Sequence, residues 1–298
     1  MHTMPDDVKP SVVPEPQLQR AALENGVELA YEIAGEGTPL VFIHGAMGDW
    51  RSWDKQWQPF TQRFRCLRYS RRYSYPNRNT MPSPDHSALR EAQDLRLLLD
   101  HVDWQRAILV GSSYGSFTAL ALAVADPQRC LALALSEPPM MRYSQFSAAG
   151  RAAAQAFRTH VIEPANAAFR RGDDVLAAGI MTGGINGTDR PPLPPAAMAR
   201  RMQNLRAMRM LALSSDEFPL LAPEALAALP MPVLLMAGAN TPAIHAEIFR
   251  NVGAAMPQAQ QVWIPRSGHS TSNDNAEVFN RTVIDFLQQT SRHVPADA

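Results

Sequence analysis

The chain has 298 residues, of which 46% are apolar and 19% charged, and its formal net charge is zero. That length admits one large α/β domain or a core with an inserted lobe. The balanced charge, with no lysine or arginine run, excludes the basic surface that nucleic acid or an anionic membrane needs, and no apolar stretch is long enough to span a bilayer.

Residues 1–16 are polar and proline-rich, carry Asp6 and Asp7, and lack the charged-then-apolar layout of a signal peptide. They read as a disordered tail on a cytoplasmic chain. Segments 18–23 and 27–33, separated by Glu24-Asn25-Gly26, read as a hairpin because Asn-Gly suits a tight turn. Further strands are expected at 40–43, 64–69, 107–110, 131–135, 233–236 and 261–264. Between them, Leu89, Leu95, Leu98, Leu99 and Val102 form the apolar face of a helix over 87–102. Phe279, Val283, Phe286 and Leu287 do the same for a last helix behind an acidic start. Strands alternating with helices predict a mostly parallel sheet covered on both faces, an α/β fold. Cys66 and Cys130 fall inside expected strands and read as small buried hydrophobes, not as a disulfide framework.

One segment breaks the alternation. Residues 138–229 contain no strand pattern, only helix-prone stretches cut by Gly183-Gly184 and by Pro191-Pro192-Leu193-Pro194-Pro195. Structureless loops of that length are uncommon, so the segment reads as a helical lid inserted into a core made of 17–137 and 230–298. Met140, Met141, Met181, Met198, Met202, Met208 and Met210 lie in it with Phe146, Phe157 and Phe169. Most are expected to form the lid's own core, and a few to touch a bulky apolar ligand.

Gly111-Ser112-Ser113-Tyr114-Gly115 follows the apolar run at 107–110 and precedes an Ala- and Leu-rich helical stretch. A serine in a sharp strand-to-helix turn stands clear of the sheet, and the flanking glycines allow strand and helix to approach closely. A serine is a weak nucleophile until a base takes its proton, and the base needs an orienting carboxylate. Of eight histidines, His269 in Ser267-Gly268-His269-Ser270 is placed best, in a loop just past the strand at 261–264. His44, in Ile43-His44-Gly45-Ala46, follows an early strand and is expected to shape the turn there. His86, His101, His160, His245 and His293 are read as surface or packing residues. No group of side chains has metal-ligand spacing.

The Ser-before-His order, the His-Gly turn after an early strand and the Gly-x-Ser-x-Gly elbow together resemble the α/β-hydrolase family, over residues 27–287. The resemblance implies an α/β-hydrolase fold, Ser113 as nucleophile, His269 as general base, and an oxyanion hole made by the backbone N–H groups of Ala46 and Tyr114. Each such donor is worth about 3 kcal/mol of transition-state stabilisation. His44, Gly45, Met140 and Met141 would then lie on the substrate side. The family's usual acid position reads Gly238-Ala239-Asn240-Thr241-Pro242 and holds no carboxylate. Some members of the fold carry the acid one strand earlier, where this chain has Ser136-Glu137-Pro138. Glu137 read blandly caps a turn; read as the third member it completes Ser113–Glu137–His269. The Glu-Pro pair and the Gly-Ala-x-Thr-Pro loop are also similar to those of fungal hydrolases that open resorcylic macrolactones.

The loop Tyr69-Ser70-Arg71-Arg72-Tyr73-Ser74-Tyr75-Pro76 departs from the family's usual Asp and glycines. It reads mainly as a solvated turn, with an arginine-lined substrate entrance as the other option. The resemblance implies a serine hydrolase of a small hydrophobic carboxylic ester or lactone, working without metal or organic cofactor, as a monomer or homodimer. A C–C bond hydrolase, a cofactor-free natural-product enzyme, and a hydrolase-like binding protein stay open beside it. An Asp-nucleophile dehalogenase or epoxide hydrolase does not, because Ser113 occupies that position.

Overall fold

A computed structural model of the chain describes residues 17–83, 86–187 and 193–291; the tail expected at 1–16 lies outside the described residues, as do His293 and part of the proline run. Eight strands form one sheet: β1 (Gln19–Ala22), β2 (Glu28–Ala34), β3 (Pro39–Ile43), β4 (Arg65–Tyr69), β5 (Ala107–Ser112), β6 (Cys130–Ser136), β7 (Val233–Gly238) and β8 (Gln260–Ile264). Their order across the sheet is β1-β2-β4-β3-β5-β6-β7-β8. β1–β2 and β2–β4 are antiparallel, and every other pair is parallel. Every expected strand is present within two residues of its expected ends. β5 runs on to Ser112 because Gly111 and Ser112 still pair with Leu135 and Ser136 of β6.

The sheet is covered on both faces, which is why its central strands are apolar throughout and do not alternate. On one face pack the helices Ala88–His101, Tyr114–Ala125 and Ala243–Ala255, through Leu95, Leu98, Phe117, Ile248 and Phe249. On the other pack Asp54–Thr61 and Ala276–Ser291, through Phe60, Phe279, Val283 and Phe286. Each such side chain, fully buried, contributes about 1.5–3 kcal/mol. The helix Ala88–His101 starts where Ser87 accepts a hydrogen bond from the Leu89 N–H at 3.3 Å, capping one of its free donors.

Among the described residues, no strand lies between Ser136 and Val233; the intervening segment is helical. It has a small core of its own, with Phe169, Met181 and Met208 packed against Val161 and Ala178, and with Met198 and Met202 at its edge. Met210 instead joins the main core. No helix among the described residues is long and apolar enough to cross a membrane.

The elbow after β5 is where local sequence constrains the fold most. A Cβ on Gly115 would lie 2.0 Å from the Ile43 carbonyl oxygen and 2.9 Å from that of His44. Only glycine lets the helix start slide under the end of β3. Gly115→Ala is therefore expected to lower stability by about 3 kcal/mol, read from urea unfolding; a loss below about 1 kcal/mol would mean that β3 and the elbow move apart freely.

Candidate active site

The carboxyl ends of β3, β5, β6, β7 and β8 bring together Ala46, Ser113, Glu137, the loop after Gly238, and His269. Ser113 has φ 52° and ψ −118°, a conformation that residues with a side chain rarely adopt. It is held there by its N–H bond to the Ser136 carbonyl (2.8 Å), and its own carbonyl accepts the N–H groups of Ser116 and Phe117. Backbone strain of this kind persists where the surroundings over-determine it, and it clusters at functional sites. Tyr114 is the first helical residue, so its N–H has no acceptor within the helix.

Glu137, at the end of β6, also has a positive φ, 45°. Its N–H continues the sheet to the Met236 carbonyl of β7 at 2.9 Å. Its carboxylate is buried and accepts on both oxygens: the Gly238 N–H at 2.7 Å on Oε1, and the Thr241 hydroxyl at 2.8 Å on Oε2. His269 Nδ1 lies 2.5 Å from the same Oε2. Nδ1 thus carries the hydrogen, leaving Nε2 as the basic atom; Nε2 is buried and has no hydrogen-bond partner among the described residues. Asn240, by contrast, is exposed, and its backbone N–H bonds the Ser267 carbonyl at 2.8 Å. The loops after β7 and β8 meet backbone to backbone: a Cβ on Gly238 would lie 2.1 Å from the Gly268 carbonyl oxygen.

Ser113 and His269 line one cavity of about 580 Å³, together with Gly45, Ala46 and Met141. Met47, Phe157, Met181 and Phe218 supply apolar wall. Two residues expected on the substrate side lie elsewhere. Met140 is packed in the main core, because the tight turn at Pro138-Pro139 sends Met140 inward and Met141 to the cavity. His44 is fully buried behind the turn. Its Nε2 accepts the Arg71 N–H at 2.9 Å, so Nδ1 donates to the Gly45 carbonyl at 2.8 Å. Burial, followed by the nearby Arg71 charge, pushes its pKa down to about 3.

The neutral His44 carries a stability consequence. Below pH 6.5 the unfolded chain protonates this imidazole and the folded protein does not, so stability falls as pH falls. Between pH 6.5 and 5 the wild type is expected to lose about 2 kcal/mol more than His44→Gln, read from urea unfolding at both pH values. Equal losses in the two proteins would refute this.

The loop after β4 is not the solvated turn or ligand-facing entrance that its sequence suggested. Arg71 is buried, with its guanidinium 2.7 Å from Glu91, 3.6 Å from the centre of the Tyr114 ring, and 3.5 Å from the Ala46 carbonyl oxygen. The charge is drawn inward because Glu91 on the helix Ala88–His101 is itself buried and needs a partner. The Tyr114 hydroxyl donates a short hydrogen bond to Glu217, a second carboxyl at the cavity wall, whose pKa burial raises.

His245, expected as a surface or packing residue, is a buried packing residue, and it lies against His269 with ring centres 4.0 Å apart and planes 28° apart. Its Nε2 donates to the Ile185 carbonyl at 3.1 Å, and burial, then the His269 charge, holds its pKa well below the usual histidine value. The signal for it in the sequence was a histidine on the apolar face shared by Ile244, Ile248 and Phe249. Glu137, His245 and His269 can place one ligand atom each within 4.8 Å of one another. Stacked imidazoles direct their in-plane lone pairs side by side, and Glu137 already accepts from His269, so the group does not fit a metal centre.

Residues 40–282 match the model of the alpha/beta hydrolase family. The chain belongs to that family. It is similar to a 2-hydroxy-6-oxononadienedioate/2-hydroxy-6-oxononatrienedioate hydrolase of Paraburkholderia xenovorans, at 26% identity over 88% of this chain and 91% of the relative. In structure the chain resembles Est816, described as an N-acyl homoserine lactone degrading enzyme, with a TM-score of 0.69 and 20% identity over 89% of this chain and 99% of the other. It also resembles the enol-lactonase of Burkholderia xenovorans LB400, with a TM-score of 0.63 and 21% identity over 91% of this chain and 100% of the other.

Proposed function

We propose that the protein is a serine hydrolase of a carboxylic ester or lactone, with Ser113, His269 and Glu137 as its triad. The observation that carries this reading is the buried His269 Nδ1–Glu137 Oε2 contact of 2.5 Å at the cavity where the strained Ser113 stands. Ser113 Oγ attacks the carbonyl carbon while His269 Nε2 takes its proton. The tetrahedral oxyanion is met by the backbone N–H groups of Ala46 and Tyr114. Collapse breaks the C–O bond, and His269 returns the proton to the departing alkoxide. A water, deprotonated by the same nitrogen, then adds to the acyl carbon; the C–Oγ bond breaks, the acid leaves, and His269 returns the proton to Ser113 Oγ. Glu137 holds the tautomer that makes Nε2 basic and stabilises the imidazolium. The helical segment 138–229 acts as a lid whose Met141, Phe157 and Met181 face an apolar substrate.

The test is labelling with a fluorophosphonate probe and turnover of medium-chain p-nitrophenyl esters. Wild-type protein should react on both counts and Ser113→Ala on neither. Wild type left unlabelled, or equal labelling of the two proteins, would refute Ser113 as nucleophile. C–C bond hydrolysis is a second reading, supported by the activity named for the P. xenovorans relative. Labelling of Ser113 without ester turnover, but with cleavage of that relative's named substrate, would favour it.

A further inference from the structure

The cavity wall contains a cation that the proposed chemistry does not use. Arg201, in the last turn of the helix Pro195–Gln203, lines the same cavity as Ser113 and His269 and is partly buried. Its side chain makes no hydrogen bond and no ion pair with any described residue. The other charges of the wall are accounted for. Arg142 pairs with Asp216 at 3.0 Å, Glu217 accepts from Tyr114, and Arg158 is exposed. Among the described residues, neither acid of the wall, Asp216 or Glu217, pairs with Arg201. Burial alone pulls its guanidinium down to about 10, so it stays charged at neutral pH.

A charge withdrawn from water without a counterion costs free energy. A surface arginine avoids that cost by reaching solvent, as the exposed neighbour Arg200 does. A structural arginine avoids it by pairing, as Arg71 does with Glu91. Arg201 has no partner among the described residues and keeps only part of its exposure, and it lines the space a substrate would fill, beside the apolar Met181 and Leu211. A guanidinium presents parallel N–H donors that match a carboxylate.

We infer that Arg201 is an anion-recognition residue, and that the substrate is an ester or lactone bearing a carboxylate at the far end of an apolar chain. This rests on the serine-hydrolase reading for its chemistry, but the contact with Arg201 is independent of turnover. Ethyl hydrogen adipate and ethyl hexanoate form a matched pair that differs in the terminal carboxylate. The wild type should favour the anionic ester in kcat/KM by at least about 10-fold, and Arg201→Gln should lower that ratio by at least about 30-fold. Arg201→Lys should keep part of the preference, and Arg200→Gln, on the exposed neighbour, all of it. A wild type that favours the neutral ester, or a ratio unmoved by Arg201→Gln, would overturn the inference.

Calorimetry on Ser113→Ala reads the same contact without chemistry. Binding of ethyl hydrogen adipate should weaken at least about 10-fold when Arg201→Gln is added; equal binding would overturn the inference. If fluorophosphonate labelling fails while this binding difference persists, the hydrolase reading falls and the anion site stands. Labelling and neutral-ester turnover without anion discrimination is the converse case: the anion site falls and the hydrolase reading stands.

Discussion

Glu137→Gln is expected to lower kcat on ester substrates by about 10⁴-fold. The carboxylate accepts on both oxygens, from the Gly238 N–H on one side and from Thr241 and His269 on the other. An amide has a single acceptor. If its oxygen keeps the Gly238 N–H, its NH₂ group faces His269 Nδ1 and forces the ring hydrogen onto Nε2, where the base is needed. If the amide is turned over, its NH₂ abuts the Gly238 N–H and leaves two buried donors opposed. Either arrangement also removes the negative charge that stabilises the imidazolium. Asn240→Ala, at an exposed residue, should change kcat less than about twofold. Steady-state turnover of the p-nitrophenyl esters checks both. If Asn240→Ala were the crippled variant and Glu137→Gln active, the third member of the triad would lie on the β7 loop after all.

Arg71→Met should destabilise the protein by about 3–5 kcal/mol. Arg71 and Glu91 are both buried, 2.7 Å apart. Burial by itself would push the Glu91 carboxyl up, but the Arg71 guanidinium beside it, helped by His86, holds it at about 2. Removing the cation leaves a negative charge in the interior with a histidine 3.5 Å away as its remaining partner. The double variant Arg71→Met/Glu91→Gln should recover most of the loss, because replacing both members of a buried pair is far milder than breaking it. Urea unfolding of the wild type, both single variants and the double variant closes the cycle. A loss under about 1 kcal/mol for Arg71→Met would mean that water reaches Glu91 and the pair carries little. Arg71 also stacks on the Tyr114 ring and contacts the Ala46 carbonyl, so the single variant loosens both residues whose N–H groups are proposed to form the oxyanion hole.

The serine elbow was legible because its constraints are local. Gly115 faces the end of β3, and the strained backbone of Ser113 belongs to a turn a few residues long. His269 was reached from chain order and from its position past the last strand. Glu137 follows from the resemblance, in which some members carry the acid one strand before the loop after β7; its contact with His269, 132 positions away, exists because β7 lies between β6 and β8, whose ends lead to the two residues.

Other expectations failed where a side chain's direction depended on neighbours remote in sequence. Arg71 looked solvated because two adjacent arginines in a loop usually are, and a buried acid on the next helix reversed that. Met140 and Met141 are adjacent in sequence and lie on opposite sides of one turn. His245, one of the histidines read as surface or packing residues, does pack, but the ring it packs on is His269, brought there by the loop after β8.

The sequence by itself determined the α/β alternation, every strand within two residues, the helical segment between β6 and β7, and the serine elbow. These depend on periodicity and on backbone sterics, which are written residue by residue. The tertiary structure alone decided which charges are buried and paired, which side chains of the helical segment face the cavity, what packs on His269, and that Arg201 has no counterion among the described residues. Those properties belong to pairs of distant residues, and burial and Coulomb energy exist only once the chain has brought both members together.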